Sequence, residues 1–409
     1  MAGPDLILFD DDIARNWMPF VLTRPAGELR FGAYTLRERI ERAFGARCIG
    51  HLTDPGLRDF EEPDAAPALD PGTLSADRDR LLVSSRYVPA HDQTPPTWPD
   101  RPAVLIAGSE TVGWYVPAGH DLPPADAVRD PAAASYPATD PLPVRGFTLR
   151  GVWELVTRMA DVLVDDVIGA AAGHRTPDTG PGVYRLGDAP LVIGDRVQIE
   201  PHVVFDLRSG PIWLDDGVTV RALTRLAGPA YVGKGSVLLG GHYEAVAIGP
   251  GCKVRGEMEA STILGFSNKA HDGFVGHSYL GCWVNLGAMT TTSDLKNNYH
   301  TIRLELPSGS VDTGEIKLGS LVGDHVKTGI GTLLTTGSIL GAGSMIVGPT
   351  LPPKGVPPFT WWTNGTATGY DPEKFLETVE VVMARRNRQF TEKQRNLLRT
   401  AWQRTRPAR

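Results

Sequence analysis

Across residues 191–350 an apolar or β-branched residue recurs about every sixth position, usually followed by a small one. The pairs are Ile193-Gly194, Ile199-Glu200, Val232-Gly233, Ile248-Gly249, Val275-Gly276, Leu280-Gly281, Leu286-Gly287, Val322-Gly323, Thr328-Gly329 and Leu340-Gly341. A helix repeats near 3.6 residues and a strand near 2, so neither produces this beat. A hexapeptide period is the mark of a parallel β-helix, in which each step supplies one short strand and one turn. The branched residue should point into the coil, and glycine should take a turn conformation closed to other residues. Such a prism presents rigid walls, and clefts between neighbouring prisms can hold a substrate.

At 409 residues the chain has room for two domains or more. Its 41% hydrophobic and 22% charged content is ordinary for a globular protein. Gly (46) and Pro (34) together make about a fifth of it, which favours turns and β structure over helix bundles. The first apolar run, Leu6–Phe9, meets Asp10, Asp11 and Asp12, so it does not read as a signal peptide. No run approaches the ~20 apolar residues of a membrane span. Cys48, Cys252 and Cys282 have no metal-like spacing and suit a reducing cytoplasm, with Cys252 and Cys282 as small buried residues. Residues 384–409 carry nine Arg/Lys against the single acid Glu392, a net +8, so the remainder of a chain of net −6 carries −14. A run so basic suits phosphates, nucleic acid, an acidic neighbouring subunit or simply a solvated helix end.

The opening reads strand, loop, helix. Leu6–Phe9, Leu81–Ser84 and Val104–Ala107 read as buried strands. Thr35–Phe44 places Leu36, Ile40 and Ala43 on one helical face, and Val152–Ile168 carries a stripe of Val152, Leu155, Met159, Leu163 and Val167. Strands alternating with helices predict a parallel α/β sheet. Residues 88–146, rich in Pro, Ala and Asp, predict irregular chain, and 169–185 a linker. The beat is interrupted at 293–316, which predicts an excursion from the prism. Pro352, Pro353, Pro357 and Pro358 should end the repeat, and Pro372–Arg404 should be helical. Phe359, Trp361 and Trp362 should pack the tail on the prism end.

The densest polar stretch, 267–299, puts His271, Asp272, His277, Asn285, Asp294, Asn297 and Asn298 on or beside a rigid wall. Histidine near neutral pH can take a proton from an amine or hydroxyl. Asparagine can orient a sugar hydroxyl or an acyl carbonyl. A lone histidine on a coil is usually structural, but several polar residues converging beside a loop favour a site. His277 lies six residues beyond His271, on the equivalent position of the next wall, so periodicity leaves both open.

The pieces KAH at 269–271, VNLGA at 284–288 and VGDHVKTGIGT at 322–332 resemble the acetyltransferase half of the GlmU family. The longer run SNKAHDGFVGHSYLG…VNLGA…TTSDLKNNY is similar to GlmU-like bacterial sugar nucleotidyltransferases. The resemblance covers nearly the whole chain and is strongest over 255–335. It implies a left-handed parallel β-helix, acetyl-CoA as acyl donor, and a homotrimer with sites between prisms. Its register selects His271 as catalytic base and places Asn285 at a sugar- or acyl-contacting Asn. It sets Ala288 along the acetyl-CoA wall, with Thr328 and Gly329 as further cofactor-binding candidates; Lys269, Lys253 or Arg255 is expected to hold the sugar phosphate, and His277 and Asp294 are further substrate-binding candidates. Three positions depart: Phe274 stands for the family's Tyr, Met289 for a Gly and Asp294 near its further Asn.

In the N-terminal half, Leu22-Thr23-Arg24-Pro25 resembles the second part of the nucleotidyltransferase signature. The Gly-rich first part, whose backbone N–H groups would cradle phosphate, is replaced by Phe9-Asp10-Asp11-Asp12-Ile13-Ala14-Arg15. Three acids repel a triphosphate unless Mg2+ bridges them. The family lysine after TRP is Ala26, and Ser84-Ser85-Arg86 stands where its metal-binding aspartate is expected. Arg15, Arg24, Arg30 and Arg86 remain as phosphate grips or as ordinary arginines.

The expected architecture is a nucleotidyltransferase-like α/β domain over 1–175, a β-helix over 186–355 and a helical tail over 356–409. The expected activity is acetyl-CoA-dependent N-acetyl transfer to an amino sugar phosphate or nucleotide sugar. The alternatives are a sugar-1-phosphate nucleotidyltransferase that uses the prism for trimerisation, and a ligand-binding scaffold without catalysis. No membrane or nucleic-acid partner is expected.

Overall fold

The computed structural model describes residues 3–74, 77–132, 140–172 and 179–405. The N-terminal sheet has six strands in the order Cys48–Leu52, Asp5–Phe9, Arg80–Ser84, Glu110–Val116, Ala103–Ala107, Asp140–Pro143. Its first three strands are parallel, as the alternation predicts. Glu110–Val116 runs antiparallel to both neighbours, so the sheet is mixed rather than parallel. The reason is a tight turn at Gly108 (φ +62°), which folds residues 103–116 into a hairpin inside the stretch expected to be irregular. The helix Leu36–Phe44 begins on a capping box of Thr35 and Glu38 and ends on Gly45 in the left-handed region. The stripe from Val152 to Val167 is buried as expected, but the helix is two pieces, Glu154–Thr157 and Met159–Ala171. The break is Arg158 (φ −110°, ψ 2°), whose guanidinium lies over the Phe147 ring. Part of the expected linker, 173–178, lies outside the described residues.

From Tyr184 onward the chain winds a parallel β-helix of about 10 turns. Leu214 pairs with Val232 and Val322 with Leu340, each eighteen residues on, or three six-residue steps per turn. Ile248 pairs with Ile263, only fifteen residues on, so the beat is ragged where a turn is short. Leu280 pairs with Val322, forty-two residues on. The surplus matches the predicted interruption, which leaves the prism as the hairpin Arg303–Leu306 and Gly309–Asp312.

The beat's apolar residues fill the coil: Val232, Ile248, Val275 and Leu340 are fully buried. The glycines behind them serve another purpose than expected. A Cβ on Gly249 would lie 2.0 Å from the Leu264 carbonyl oxygen, and one on Gly341 would lie 2.3 Å from the Pro358 nitrogen. These glycines permit the next coil to approach, while the left-handed turns fall elsewhere. One corner of the prism takes them at Gly251, Phe266, Trp283, His325, Gly343 and Phe359. Phe266 and Trp283 stack at 4.8 Å, His325 continues the stack, and Phe375 of the tail meets both His325 and Phe359 edge-on. The prolines do not end the repeat: Gly355–Val356 and Thr360–Thr363 still pair in parallel, and the antiparallel strand Thr366–Gly369 closes the coil.

The tail forms the helices Pro372–Ala384 and Glu392–Arg404. Part of its basic charge is answered by the chain's own acids, through Arg395–Glu380, Arg399–Glu373 and Arg404–Asp54. Trp17, Phe20, Leu155 and Met159 share one core with Tyr231, Tyr279 and Trp283 of the prism and Phe375 and Met383 of the tail. Cys48, Cys252 and Cys282 are buried free thiols. No helix among the described residues is long and apolar enough to cross a membrane.

Candidate active site

Four side chains form a column on one prism wall. Lys253 pairs with Asn268, Asn268 with Asn285 and Asn285 with Lys327, one residue per coil. Neighbouring strands lie about 4.8 Å apart, so the column is a straight polar strip. It is the floor of a cleft of about 740 Å³. His271 and Ala288 form one edge, and Val382, Arg385 and Arg386, at the end of the helix Pro372–Ala384, form the facing lip. The cleft therefore closes within one chain, between wall and tail.

The His271 ring is exposed and lines this cleft, away from the coil interior. Behind it, Lys269 is buried, and its ammonium donates to the carbonyls of Arg255 (2.6 Å) and His271 (3.0 Å). Burial pulls the Lys269 ammonium down to about 8. Lys269 thus props the His271 backbone rather than facing a ligand, which corrects its expected substrate contact. Asn285 is exposed, and its carbonyl accepts a long bond (3.4 Å) from the Asn268 amide. Asn268 in turn accepts from Arg386 at 2.6 Å. This relay leaves the Asn285 N–H2 facing the cleft as a donor.

The lining is one-signed. Lys253, Lys327, Arg385 and Arg386 converge with His271, and no carboxylate lines the cleft among the described residues. Burial lowers the half-buried Lys327 to about 8.

Other expected residues fall elsewhere. Ala288 lines the cleft, but Thr328 and Gly329 do not; their neighbours Lys327 and Ile330 do. The Thr328 hydroxyl is buried, bonded to Thr290 and to the Gly287 N–H. Arg255 lies outside the lining, exposed, with its guanidinium on Asp272 and the Leu239 carbonyl. His277 sits apart, its Nδ1 2.7 Å from Asp294, and that contact holds the Asp294 carboxyl below the ordinary range. Asn297 and Asn298 line a separate hollow beside the excursion.

In the N-terminal domain Arg24 is 2% exposed and locked between Glu62 and Asp324. It fastens the domain to the prism, and its charge is already met by two carboxylates. Arg15 is half-buried, with its Nε on the Asp10 carbonyl. The acidic turn does not fit Mg2+. Arg86 already stands as the cation on Asp11, Arg129 holds Asp12, and Asp10 accepts from Thr53 and the Ala26 N–H. No group of three metal-binding side chains occurs among the described residues.

Lys327, Arg385, Arg386, Asn268 and Trp283 are lining residues that sequence reasoning missed. Lys327 lay inside the quoted VGDHVK run, and Arg385-Arg386 inside the basic tail. The parallel register was the signal for Lys327. Nothing in the sequence folds the tail back over the wall.

Residues 6–174 match the model of the sugar nucleotidyl transferase family. Over 86 residues, 21% of this chain, it is 31% identical to a bifunctional sugar-1-phosphate nucleotidylyltransferase/acetyltransferase of Sulfurisphaera tokodaii. Over 176 residues, 42% of this chain, it is 30% identical to the bifunctional protein GlmU of Acaryochloris marina. The chain spans 21% of the length of the first relative and 30% of the second. A solved Arabidopsis UDP-N-acetylglucosamine acyltransferase is 13% identical with a TM-score of 0.26, over 51% of this chain and 79% of that one.

Proposed function

From a chain that is GlmU-like, with a sugar nucleotidyl transferase domain ahead of a β-helix, we propose an acetyl-CoA-dependent N-acetyltransferase acting on an amino sugar phosphate or nucleotide sugar. One observation carries this reading: an imidazole and an oriented amide share a cleft lined by four cations and no acid. Both expected substrates of such a reaction are polyanions.

Acetyl-CoA, when bound, supplies an activated thioester carbonyl. Lys253, Lys327, Arg385 and Arg386 hold the phosphates of the two substrates. His271 takes the proton from the amino nitrogen as the N–C bond forms and the C–S bond breaks, and then gives that proton to the departing coenzyme A thiolate. The Asn285 N–H2, positioned through Asn268 and Arg386, donates to the oxygen on which charge develops. Val382, Leu286 and Trp283 narrow the cleft and limit water.

The test is His271→Ala. The expected loss is about 10²–10⁴-fold in kcat for acetyl transfer to glucosamine 1-phosphate, with an unchanged melting temperature. Transfer at the wild-type rate removes His271 as the base.

We also propose a homotrimer. Met289, Ile330 and Leu333, beside the cleft, are 56%, 81% and 57% exposed, and such a patch suits a neighbouring prism. Sedimentation equilibrium should return three times the chain mass.

The family match over residues 6–174 favours a second activity, sugar-1-phosphate nucleotidyl transfer. The Asp11–Arg86 pair opposes it, because it fills the place of the metal. Pyrophosphate release from UTP and a sugar 1-phosphate with Mg2+ decides between them.

A further inference from the structure

Where the N-terminal domain, the prism and the tail meet, a second cavity of about 490 Å³ opens. It shares Phe266 and Arg386 with the acyl cleft but is otherwise built from different residues. Arg30 is its most informative wall. This side chain is 7% exposed. Its Nη1 donates to the Ala33 carbonyl, its Nε has no partner, and the guanidinium lies 5.2 Å over the Tyr231 ring. No carboxylate reaches ion-pair distance of it among the described residues.

Three other buried arginines of the N-terminal domain differ. Arg24 is held by Glu62 and Asp324, Arg37 by Glu28 and Glu41, and Arg86 by Asp11. A buried charge without a counter-ion is strongly disfavoured, so buried charges are normally paired. Arg30 has no such partner, and it lines a cavity. Lys234 and Arg388 line the same cavity, exposed and without a carboxylate. Of the acids there, Glu28 and Glu62 are ion-paired to arginines, while Glu38 accepts the Thr35 N–H and remains a carboxylate within electrostatic reach of Arg30. Asp64 is exposed. Arg30, Lys234 and Arg388 thus outnumber the two lining carboxylates that no arginine holds, Glu38 and Asp64.

We propose that this junction binds the phosphate or diphosphate group of a small metabolite, with Arg30 as the buried ligand and Lys234 as its outer partner. A guanidinium fork and an ammonium are the natural pair for such an anion. The site is separate from the acyl cleft, and its occupation would brace all three parts of the molecule.

The experiment is calorimetric titration of the full chain with inorganic pyrophosphate and, separately, with UDP. Wild-type protein should bind pyrophosphate. Arg30→Gln and Lys234→Gln should each weaken it at least tenfold, while the double variant Lys253→Gln/Lys327→Gln should leave it unchanged and weaken coenzyme A instead. Lys234 is exposed, so its variant carries the test should Arg30→Gln fail to fold. Tighter UDP than pyrophosphate identifies a nucleotide as the source; equal binding identifies a simple phosphate anion. The proposal is overturned when wild type binds neither probe, or when the Lys253/Lys327 variant alone abolishes binding, which would assign the anion to the acyl cleft. Loss of coenzyme A binding in wild type would sink the acyltransferase reading and leave this one standing.

Discussion

Asn285 shows how a single amide acquires a direction. Its own backbone is fixed by the prism, since its N–H bonds the Val326 carbonyl and its carbonyl accepts from Thr328. The Asn268 amide donates to its side-chain oxygen, and Arg386 donates to the oxygen of Asn268. Lys327, one coil on, supplies a charge whose strength depends on pH. Burial lowers it to about 8, so it is a cation below that pH and neutral above. The KM for the anionic substrate should therefore rise as pH passes through about 8, whereas kcat at saturation should change less, because a bound anion raises the ammonium's pKa. Lys327→Met should raise KM by roughly 10- to 100-fold, the worth of one charged hydrogen bond, about 1.5–3 kcal/mol. A pH-independent KM in wild type, or an unchanged KM in the variant, contradicts this role. His271 and Asn285 were legible as a pair from the resemblance. Lys269 was misread because spacing does not tell which side of a coil a long side chain enters.

At the scale of elements, the corner column Phe266, Trp283, His325 and Phe359 holds bulky residues at φ between +51° and +61°. Such backbone costs about 1–3 kcal/mol per residue, and aromatic stacking against the tail offsets it. His325 sits at the centre of that stack, and burial pushes its imidazole from 6.5 down to about 3. The folded state therefore keeps it neutral while the unfolded chain binds a proton below pH 6.5. Stability must fall as pH drops from 6.5 toward 3, by at most about 1.4 kcal/mol per pH unit from this group. His325→Phe keeps a ring in the stack and should flatten the decline, as read by urea unfolding at a series of pH values. An unchanged slope would mean that the imidazole is protonated in the fold. Gly249 makes a second prediction. A methyl group there meets the Leu264 carbonyl oxygen at 2.0 Å, so Gly249→Ala should cost about 1–3 kcal/mol, seen as a lower melting temperature. The hexapeptide beat was readable because every turn repeats the same inward contacts. The aromatic corner was not, because its residues lie 17 to 42 apart and look unrelated until the coils stack.

For the whole molecule, Asp324 is the fastening. One carboxylate oxygen accepts the Cys282 N–H, and the other receives Thr23 and Arg24. A fragment that resembles a phosphate-binding signature thus holds a domain to a prism. Asp324→Ala leaves the Arg24 cation half-compensated in a dry interface and should cost about 3–5 kcal/mol. Chemical unfolding should then split into two transitions, whereas wild type should show one. The domain order was legible from composition and repeat, because each domain folds around its own pattern. Their mutual arrangement was not, since contacts such as Arg24–Asp324 and Thr391–Glu61 join residues hundreds of positions apart. The same folding-back makes the cleft, by bringing Arg385 and Arg386 over Lys253 and Lys327. The most direct test of that cleft is a crystal structure of the chain with coenzyme A. Coenzyme A should lie between wall and tail, with His271 and Asn285 at its thiol end and its phosphates on cations drawn from Lys253, Lys327, Arg385 and Arg386. Coenzyme A bound on another wall, or at a distance from His271, would contradict it.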